Sequence, residues 1–212
     1  MLQNQIPYKI VSDRLIIRCY EPADVWMLNE SVNRSQAHLL PYMSWAVDGP
    51  FDLQHHVNYI RTTRSRFDRD EDYTMGIFLK DSGLFIGGGG LHKRVGPNAI
   101  EIGYWIDVNY IKNAYATELT KALAKVAFDI LGIQRVVITI HEKNEWSKKI
   151  PINLGWKYEG TERRKFTDYL GMVHDIESYS MFADEYRQGD LPNTFIQATD
   201  FLNREIILAT NF

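Results

Sequence analysis

Residues 101–155 contain the side chains and backbone groups whose order could do chemistry. A strand pattern ends in a polar loop, and the last loop residues, 113–117, come directly before a helix pattern. The first turn of a helix has backbone N–H groups without partners, and the helix dipole places partial positive charge there. This arrangement favours an anion such as a phosphate. An ordinary strand-loop-helix connection explains the segment taken alone equally well.

Two changes of apolar period define the elements around this loop. Apolar residues alternate over 100–107, which is the period of a strand. From residue 119 they recur at helical spacing and stop at Gly132, a typical helix terminator. A second apolar strand, 136–140, is followed by a polar turn at Asn144, a short helix and Gly155. The helix N-terminus is therefore expected beside the ends of two strands.

Other possible sites have weaker patterns. His55 and His56 on a predicted helix and His141 after a strand have a spacing that fits no familiar zinc site, so no metal is predicted. Four consecutive glycines, 87–90, lack the Walker pattern and are better explained by close backbone packing or a bulge. No Ser-His-Asp or Cys-His arrangement indicates covalent catalysis.

The composition is that of an ordinary globular protein. The 212 residues are 45% hydrophobic and 24% charged, which suits one α/β domain with a buried core. A net charge of −3 gives no basis for general nucleic-acid binding, which needs a basic face. Cys19 is the single cysteine, so an intramolecular disulfide is excluded and a reducing compartment is expected. No apolar run reaches membrane-spanning length and residues 1–9 lack a signal-peptide core, so a cytoplasmic location without membrane contact is predicted.

The remaining elements are predicted from similar patterns. A first strand is expected over 13–20, followed by a helix that opens at residues 21–24 and ends near Asn33. Residues 38–50 indicate a loop or broken helix, and Asp52 could cap a second helix. Four more strands are predicted, at 74–79, 84–92, 156–163 and 173–182.

Residues 185–212 are too apolar for a disordered tail. Their apolar side chains are Tyr186, Leu191, Phe195, Ile196, Phe201, Leu202, Ile206, Ile207 and Leu208. We expect this extension to form a helix or arm that packs on the domain of residues 1–184 or on a second subunit. Packing on its own domain is slightly favoured over a homodimer contact.

Six segments of the chain carry motifs in a fixed order. They are SDRLIIRCYEPAD (12–24), LLPYMSWA (39–46), GIFLKDSGLFIGGGGLHKR (76–94), AIEIGYWIDVNYIKNAYATEL (99–119), NEWSKKIPINLGWKYEG (144–160) and HDIESYSM (174–181). Together they resemble the GNAT superfamily of acyl-CoA-dependent N-acetyltransferases. Within it the chain is similar to the RimL/RimJ branch, which includes ribosomal-protein N-terminal acetyltransferases.

The resemblance implies a GNAT fold of the α/β (α+β) class. Its sheet is expected to be mixed, mainly antiparallel and splayed, with six or seven strands flanked by helices. Acetyl-CoA is the implied co-substrate, with its pantetheine arm along the strand before the loop and its pyrophosphate at the loop, and no metal is needed. The cofactor-binding residues carried over are Trp105, Ile106, Asp107, Val108, Lys112, Asn113, Ala114, Tyr115, Ala116, Thr117, Asn144 and Lys149.

The implied reaction is direct attack of an amine on a thioester, which requires a base for the ammonium and a proton donor for the leaving thiolate. By resemblance Glu101 is the candidate base, directly or through water. Ser147, in the intact Asn-x-x-Ser step that begins at Asn144, is the candidate acid or donor to the sulfur. Glu101 could instead be a solvated or salt-bridged strand carboxylate. Ser147 could equally be a plain N-cap of the following helix, a role that is compatible with donation to the sulfur.

The candidate acceptor-binding residues are Tyr42, Trp45 and His174. An aromatic wall suits a flat group such as a nucleobase or a peptide bond. A core-lid role for the aromatic residues and a structural hydrogen-bonded pair of His174 with Asp175 are equally consistent with the sequence. Side chains alternate along a strand, so the Tyr104–Trp105 pair can present at most one ring to the substrate.

The match departs from the family where the pyrophosphate should bind. The family loop runs Gln or Arg, two residues, Gly, one residue, then Gly or Ala, and here those positions are Ile111, Ala114 and Ala116. Glycine lets the backbone approach phosphates and adopt unusual dihedral angles, whereas an alanine with helical angles would cost nothing. The charge of Lys112, where relatives often carry glycine, could partly compensate.

We therefore predict an acetyl-CoA-dependent N-acetyltransferase. Its acceptor is expected to be a primary amine on a peptide N-terminus, an aminoacyl compound or a small amine. The alternative is a catalytically inactive GNAT-like domain that binds a ligand or partner and has a degenerate pyrophosphate loop. A shared fold does not identify the acceptor.

Overall fold

The computed structural model describes residues 5–207, so Leu208 lies outside the described residues. The strands are β1 Lys9–Val11, β2 Leu15–Cys19, β3 Tyr73–Leu79, β4 Phe85–His92, β5 Ala99–Ile106, β6 Arg135–His141, β7 Lys157–Thr167, β8 Val173–Phe182 and β9 Gln197–Thr199. The helices are α1 Val25–Leu39, α2 Leu53–Asp68, α3 Tyr115–Lys125, α4 Glu145–Asn153 and α5 Ala183–Gln188. None of the helices in this part of the chain combines the length and apolar character needed to cross a bilayer.

The strands of residues 5–207 form one sheet in the order β7-β8-β6-β5-β4-β3-β2-β1-β9. Among the described strands, β5 and β6 are the one parallel pair, and all other neighbours are antiparallel. The mixed, mainly antiparallel sheet is therefore confirmed. It has nine strands in the described residues, against six or seven expected, because the short strands β1 and β9 extend one edge.

Strands β5 and β6 part soon after they pair. Their parallel register runs for three residue pairs and ends at Glu101 opposite Val137. β5 continues to Ile106 along β4, and β6 continues to His141 along β8. A gap between the two strands therefore opens beyond Glu101, and backbone forms its two sides.

Alternate residues of β5 face two different helix layers. Ile100 and Ile102 belong to the larger core cluster, which includes Leu119 and Leu123 of α3. Trp105 packs against the smaller cluster, to which α1 and α2 contribute side chains. Even-numbered residues of β5 thus lie on the α3 side of the sheet and odd-numbered residues on the α1–α2 side.

Helix α1 extends further than predicted. It ends at Leu39 rather than near Asn33. The polar residues of its second half do not mark a helix end, because they face the sheet. Ser35 is fully buried, and its hydroxyl accepts a backbone N–H just after β5, while Arg34 Nη2 donates to Asp107 Oδ2 at 2.5 Å.

The segment between α1 and α2 matches its sequence pattern. Residues 44–48 form a short 3-10 turn, so the predicted loop or broken helix is confirmed for the part of 38–50 that follows α1, whereas residues 38 and 39 belong to α1. Asp52 caps α2, because its Oδ1 accepts the N–H of His55 at 2.7 Å. This segment therefore returns the chain from the end of α1 to the same face of the sheet.

The four glycines of β4 allow close strand packing. A Cβ built on Gly90 would lie 2.2 Å from the Tyr73 carbonyl oxygen, and one on Gly87 would lie 2.3 Å from the Trp105 carbonyl oxygen. The register between β3 and β4 also shifts beside Gly87, as it does at a β-bulge. Close packing and a bulge are therefore confirmed as the roles of this glycine run.

Residues after β8 pack onto the sheet and α3 as a short helix, a turn and an edge strand. Tyr186 of α5 is 2% exposed, and its ring stacks on Phe128 with 4.5 Å between centroids. Its hydroxyl donates to Asp129 Oδ2 at 2.9 Å. β9 pairs antiparallel with β1, and Ile196 just before it is buried. The homodimer contact stays a prediction.

Replacing Tyr186 with alanine is expected to lower the free energy of unfolding by about 3–5 kcal/mol, the usual range for removing a buried aromatic ring. Tyr186→Phe removes only the hydroxyl that bonds Asp129, so we expect a loss of about 1 kcal/mol. Phe195→Ala is the matched control from the same segment, because Phe195 is 49% exposed. Urea unfolding of the three variants measures these differences. A loss for Tyr186→Ala of less than about 1 kcal/mol would contradict the buried packing of α5 on the domain.

Candidate active site

The loop after β5 leads from the open edge of that strand into α3. Within residues 5–207, the N–H groups of Tyr115, Ala116 and Thr117 have no hydrogen-bond partner, and the first bond of the helix runs from Glu118 N to Ala114 O at 3.0 Å. No side chain caps this end of α3. Three converging donors and the positive end of the helix dipole form a site suited to an anion.

Asn113 gives this loop its shape. Its Nδ2 donates to the carbonyl oxygens of Tyr110 at 3.2 Å and Ile111 at 3.1 Å. Arg14 Nη1 in turn donates to the carbonyl oxygen of Asn113 at 3.1 Å. The carboxamide is thus folded back onto the loop, which leaves the backbone of 115–117 as the group that faces a ligand.

The backbone angles of the loop differ from the expectation for Ala114. Lys112 has a φ of 63° and Ala114 a φ of 60°, so both are left-handed rather than helical. A left-handed angle costs a residue with a Cβ roughly 1–2 kcal/mol, and glycine avoids this cost. Two positions of this loop therefore have the left-handed angle that glycine adopts most easily, and both are occupied by residues with a Cβ.

Ala114→Gly is expected to raise the free energy of unfolding by about 0.5–1 kcal/mol. Relief of the left-handed strain outweighs the greater freedom of glycine in the unfolded chain. Ala116→Gly is the matched control, because Ala116 lies inside α3, where glycine costs about 1 kcal/mol or less. Thermal and urea unfolding of the two variants should move in opposite directions. Destabilisation by both would argue against strain at position 114.

Asp107, which follows β5, is held beneath α1. Its carboxylate is fully buried and accepts from Ser31 Oγ at 2.5 Å, Arg34 Nη2 at 2.5 Å and the N–H of Asn109 at 2.9 Å. Burial alone would raise the pKa of Asp107, but the bonds from Arg34 and Ser31 outweigh burial and hold the pKa below its usual value. Asp107 therefore stays ionised and faces α1, not the gap.

The backbone donors at the end of β5 are already engaged. The N–H of Asp107 donates to Ile86 O at 2.8 Å, and the N–H of Val108 donates to Ser35 Oγ at 3.0 Å. Backbone groups alternate in direction along an antiparallel strand, so those of Tyr104 and Ile106 face the opposite edge, where β6 has parted. Of the segment 105–108 predicted to pair with pantetheine, Ile106 has its backbone on the open edge. The Trp105 side chain packs against the smaller core cluster on the α1–α2 side of the sheet.

Ser147 and Tyr104 form a pair of hydroxyl groups on the α3–α4 side of the gap. Ser147 Oγ lies 2.8 Å from Tyr104 Oη. Asn144 caps α4, because its Oδ1 accepts the N–H of Ser147 at 3.1 Å. The plain N-cap role considered for Ser147 is therefore wrong. Burial raises the pKa of Tyr104 to about 12, so its hydroxyl stays protonated near neutral pH.

Glu101 lies on the opposite face of β5 from this pair, at the last residue before the strands part. Its side chain is buried, and its Oε1 accepts from Thr139 Oγ1 at 2.6 Å while its Oε2 accepts from Arg94 Nε at 2.5 Å. Burial would raise the pKa of Glu101, but the bonds from Arg94 and Thr139 outweigh it and lower the pKa. The carboxylate is therefore ionised, oriented and ion-paired.

The segment after α1 bridges the two sides of the gap on the Glu101 face. The Trp45 ring lies edge-on to the ring of Trp105 in β5, with 6.2 Å between centroids. The Tyr42 ring lies edge-on to the ring of His141 in β6, with 5.6 Å between centroids. Of the predicted acceptor-binding residues, Trp45 therefore lies next to β5 and Tyr42 lies next to β6.

His174 does not pair with Asp175, the structural alternative considered from the sequence, but contacts two other carboxylates. Its side chain is buried, with Nδ1 at 3.1 Å from Glu142 Oε1 and Nε2 at 2.8 Å from Asp168 Oδ2. Both ring nitrogens are thus engaged by carboxylates, and the Asp175 carboxylate instead accepts the N–H of Arg164 at 2.8 Å. His174 therefore reaches the gap only through the neighbouring ring of His141.

His141 is a buried residue of this site that sequence patterns did not single out for the acceptor side. Its ring centroid lies 4.6 Å from that of His174, and burial is the main cause that lowers the pKa of His141. Nδ1 accepts the N–H of Lys143 at 3.1 Å, whereas the buried Nε2 has no partner among residues 5–207. Its position at the end of β6, on the same face as Glu101, was the available signal.

Lys112 and Lys149, both predicted to contact the cofactor, meet on one exposed indole. The Lys112 ammonium lies 5.4 Å from the Trp146 ring centroid, and the Lys149 ammonium lies 4.7 Å from it. The loop before α3 and the first turns of α4 are thereby brought together. No group of three or more His, Cys, Asp or Glu side chains that could hold a metal ion is found in the described part of the chain.

A family model described as an acetyltransferase (GNAT) domain matches residues 14–157. The chain belongs to the GNAT acetyltransferase family. It is an enzyme of the acyltransferase class, and the family reaction is acetyl-CoA-dependent N-acetylation. The splayed strands and the open N-terminus of α3 fit the fold expected from the motifs, so the GNAT fold is confirmed.

Individual relatives of this GNAT acetyltransferase are distant in sequence. The putative ribosomal N-acetyltransferase YdaF of Bacillus subtilis (strain 168) is 28% identical over 178 residues, which cover 83% of this chain and 95% of YdaF. The crystal structure of a probable acetyltransferase has a TM-score of 0.75 and 27% identity, and the match covers 82% of this chain and 96% of that one. The ribosomal L7/L12 α-N-protein acetyltransferase RimL, solved with coenzyme A, has a TM-score of 0.75 at 20% identity over 82% of this chain and 97% of RimL. At that identity the likeness to RimL concerns the fold.

Proposed function

We propose that this protein transfers the acetyl group of acetyl-CoA to a primary amine by direct attack of the amine on the thioester. The observation that carries the proposal is the gap between β5 and β6. A hydroxyl pair, Ser147 with Tyr104, lies on one face of β5 at this gap, and the ionised Glu101 lies on the other. Such a gap lets an acyl donor and an amine approach one point from opposite faces of the sheet.

The residues that would bind the acyl donor line up along the open edge of β5 and the start of α3. The backbone groups of Tyr104 and Ile106 are placed to pair with an extended amide chain, as an added strand would. The free N–H groups of residues 115–117 suit a pyrophosphate. Asn144 uses Oδ1 to cap α4, which leaves its Nδ2 for the amides of the pantetheine arm. These groups fit the donor without a glycine in the loop.

The residues that would bind the amine lie on the Glu101 face. Because the Glu101 carboxylate is ionised, it attracts an ammonium. Its lowered pKa makes it a weak base, so it would accept the proton, directly or through a water molecule, as the attack on the thioester makes the amine more acidic. Arg94 and Thr139 hold both carboxylate oxygens in place. Trp45 and Tyr42 would enclose the group next to the amine, and a peptide bond or an aminoacyl group matches this flat aromatic setting.

On the other face, Ser147 would donate to the thioester sulfur as it leaves. Either hydroxyl of the Tyr104–Ser147 pair can donate to the other. The reaction would need the arrangement in which Tyr104 donates to Ser147 Oγ, because the proton of Ser147 is then free to point towards the sulfur. Acetyl-CoA supplies an activated acyl group, so neither a metal nor a covalent enzyme intermediate is needed. The chain's own part is to position the amine, remove one proton and return one.

The proposal is tested by incubating the purified protein with acetyl-CoA and a peptide that has a free N-terminus. Acetylated peptide is expected by mass spectrometry, together with release of a free thiol. The same peptide with a blocked N-terminus is the substrate control, and Glu101→Gln, which keeps the size of the side chain and removes its charge, is the enzyme control. Small primary amines and aminoacyl compounds extend the test to the other acceptor classes. The proposal would be contradicted if the protein acetylated none of these acceptor classes.

The family match gives no support to the catalytically inactive domain considered as the alternative from the sequence. The loop before α3 bears instead on how tightly acetyl-CoA binds. Ile111 provides no side-chain donor where the family has Gln or Arg, and Ala114 has strained backbone angles. Calorimetric titration with acetyl-CoA measures this affinity. Binding that requires residues 112–117 supports the proposed donor site, whereas absence of binding at millimolar acetyl-CoA contradicts it.

A further inference from the structure

Trp146 is a large aromatic side chain that the fold leaves exposed beside the pyrophosphate site. It is 66% exposed and lies in the first turn of α4. Lys149 of the same helix and Lys112 of the loop before α3 both place their ammonium groups near its ring. Two separate segments thus bring one flat ring and two positive charges to the same point of the surface.

Lys112 and Lys149 have no carboxylate partner among residues 5–207, unlike their neighbour Lys148. Lys148 forms ion pairs with Glu145 at 2.7 Å and Glu177 at 3.2 Å. The contact of an exposed ammonium with an indole is weak. A phosphate offers the same ammonium a charge-assisted hydrogen bond, which is stronger. The two lysines can therefore leave the ring for an anion at little cost, and the freed indole face can then receive a flat group.

We infer that Trp146, Lys112 and Lys149 bind the phosphorylated adenosine end of the acyl-CoA substrate. The indole stacks on the adenine, and the two lysines hold the 3′-phosphate of the ribose. This inference rests on the proposed function and assigns residues to one part of its donor substrate. In CoA the adenosine is joined directly to the pyrophosphate. Because Lys112 lies in the same loop as the N–H groups of 115–117, a pyrophosphate bound by those groups would place the adenosine near Lys112.

This site gives the chain an alternative source of affinity for the donor. The family's Gln or Arg at the start of the loop is replaced by Ile111, so the loop lacks one side-chain donor to the pyrophosphate. Stacking on an exposed aromatic ring and two ion pairs with a phosphate supply binding energy at the outer end of the same ligand. The enzyme then distinguishes CoA from a donor that lacks the 3′-phosphate.

The test compares CoA, dephospho-CoA and adenosine 3′,5′-bisphosphate as ligands in calorimetry and in tryptophan fluorescence. Trp146→Ala is expected to weaken CoA binding by about 5-fold to 150-fold, the range reported for loss of one stacked base. Wild-type fluorescence should be quenched by adenosine 3′,5′-bisphosphate, and Trp146→Phe should abolish that quenching. The double variant Lys112→Ala/Lys149→Ala is expected to remove the preference for CoA over dephospho-CoA.

Ile152→Ala is the matched control, because Ile152 is an apolar residue of the same helix that is 55% exposed, and it should bind CoA as the wild type does. Unchanged CoA affinity of Trp146→Ala, or equal wild-type affinity for CoA and dephospho-CoA, would overturn the inference. A protein that binds CoA through Trp146 but transfers no acetyl group would contradict the proposed function and leave the inference standing. Binding of neither CoA nor adenosine 3′,5′-bisphosphate would refute both.

Discussion

Replacing Ser147 with alanine is expected to lower kcat by ~10²-fold or more, the range of effect for a residue that handles a proton in the transition state. The affinity for acetyl-CoA should change by less than about 3-fold, because a single weak contact to a thioester contributes little to ground-state binding. Steady-state kinetics with a peptide acceptor, together with calorimetry of CoA binding, measures the two quantities separately.

Tyr104→Phe tests whether the two hydroxyls act as a unit. It removes the hydroxyl that lies 2.8 Å from Ser147 Oγ and keeps the ring, which packs against the core. We expect kcat to fall by about 10-fold with KM unchanged, since the Ser147 hydroxyl loses the partner that orients it. The double variant should be no slower than Ser147→Ala alone. Independent, multiplying losses in the double variant would show that Tyr104 acts without Ser147, and a wild-type rate in Ser147→Ala would remove the assignment.

Asp107→Asn is expected to lower the free energy of unfolding by about 2–4 kcal/mol at neutral pH. The change leaves Arg34 with only the exposed carboxylate of Glu30 as an ion-pair partner. Breaking a pair such as Arg34–Asp107 costs about 3–5 kcal/mol when both partners are buried. Arg34 is 33% exposed, so water compensates part of the loss. Urea unfolding at neutral pH measures the effect. The matched control is Asp81→Asn, an exposed carboxylate in the turn between β3 and β4, which should change stability by less than about 0.5 kcal/mol.

The effect of Asp107 should also depend on pH. Its pKa in the folded protein is lowered, so the carboxylate stabilises the fold at pH values above the unfolded pKa of about 3.9, and this contribution is lost as the pH falls through the folded pKa. The stability difference between wild type and Asp107→Asn should therefore be constant above about pH 5 and shrink below about pH 4. A difference that persists unchanged into strong acid would show that Asp107 stabilises the fold through packing instead of charge.

Long, strongly periodic elements were predictable from the sequence, and short ones were not. The apolar stripe of α3 and the alternation of β5 each repeat often enough to identify the element. β1 and β9 have three residues each, too few to show a period, and they become strands because each completes the backbone bonds of the other. The second half of α1 was missed because Ser35 and Arg34 are polar, and only the buried Asp107 explains why they face inward.

Sequence motifs supplied candidate residues for the site but little of its geometry. By resemblance, the order of motifs assigned Glu101 and Ser147 to the site, and alternation along β5 predicts that Glu101 and Tyr104 lie on opposite faces of that strand. The Tyr104–Ser147 contact and the burial of His141 depend on how α4 and β8 pack, which no local pattern encodes. The left-handed angle of Ala114 was unpredictable for a different reason, because alanine is a residue type that normally avoids that angle.

The short ladder between β5 and β6 has a mechanical consequence. Three residue pairs join the leaf made of β7, β8 and β6 to the leaf made of the other strands, so few backbone hydrogen bonds cross the seam between these two leaves. An extended ligand that hydrogen-bonds along this seam would act as an added strand. It would reduce local opening of the strands on both sides of the seam. Amide hydrogens on either side of the seam should then exchange with solvent more slowly when the donor is bound, including those far from any atom that the ligand touches.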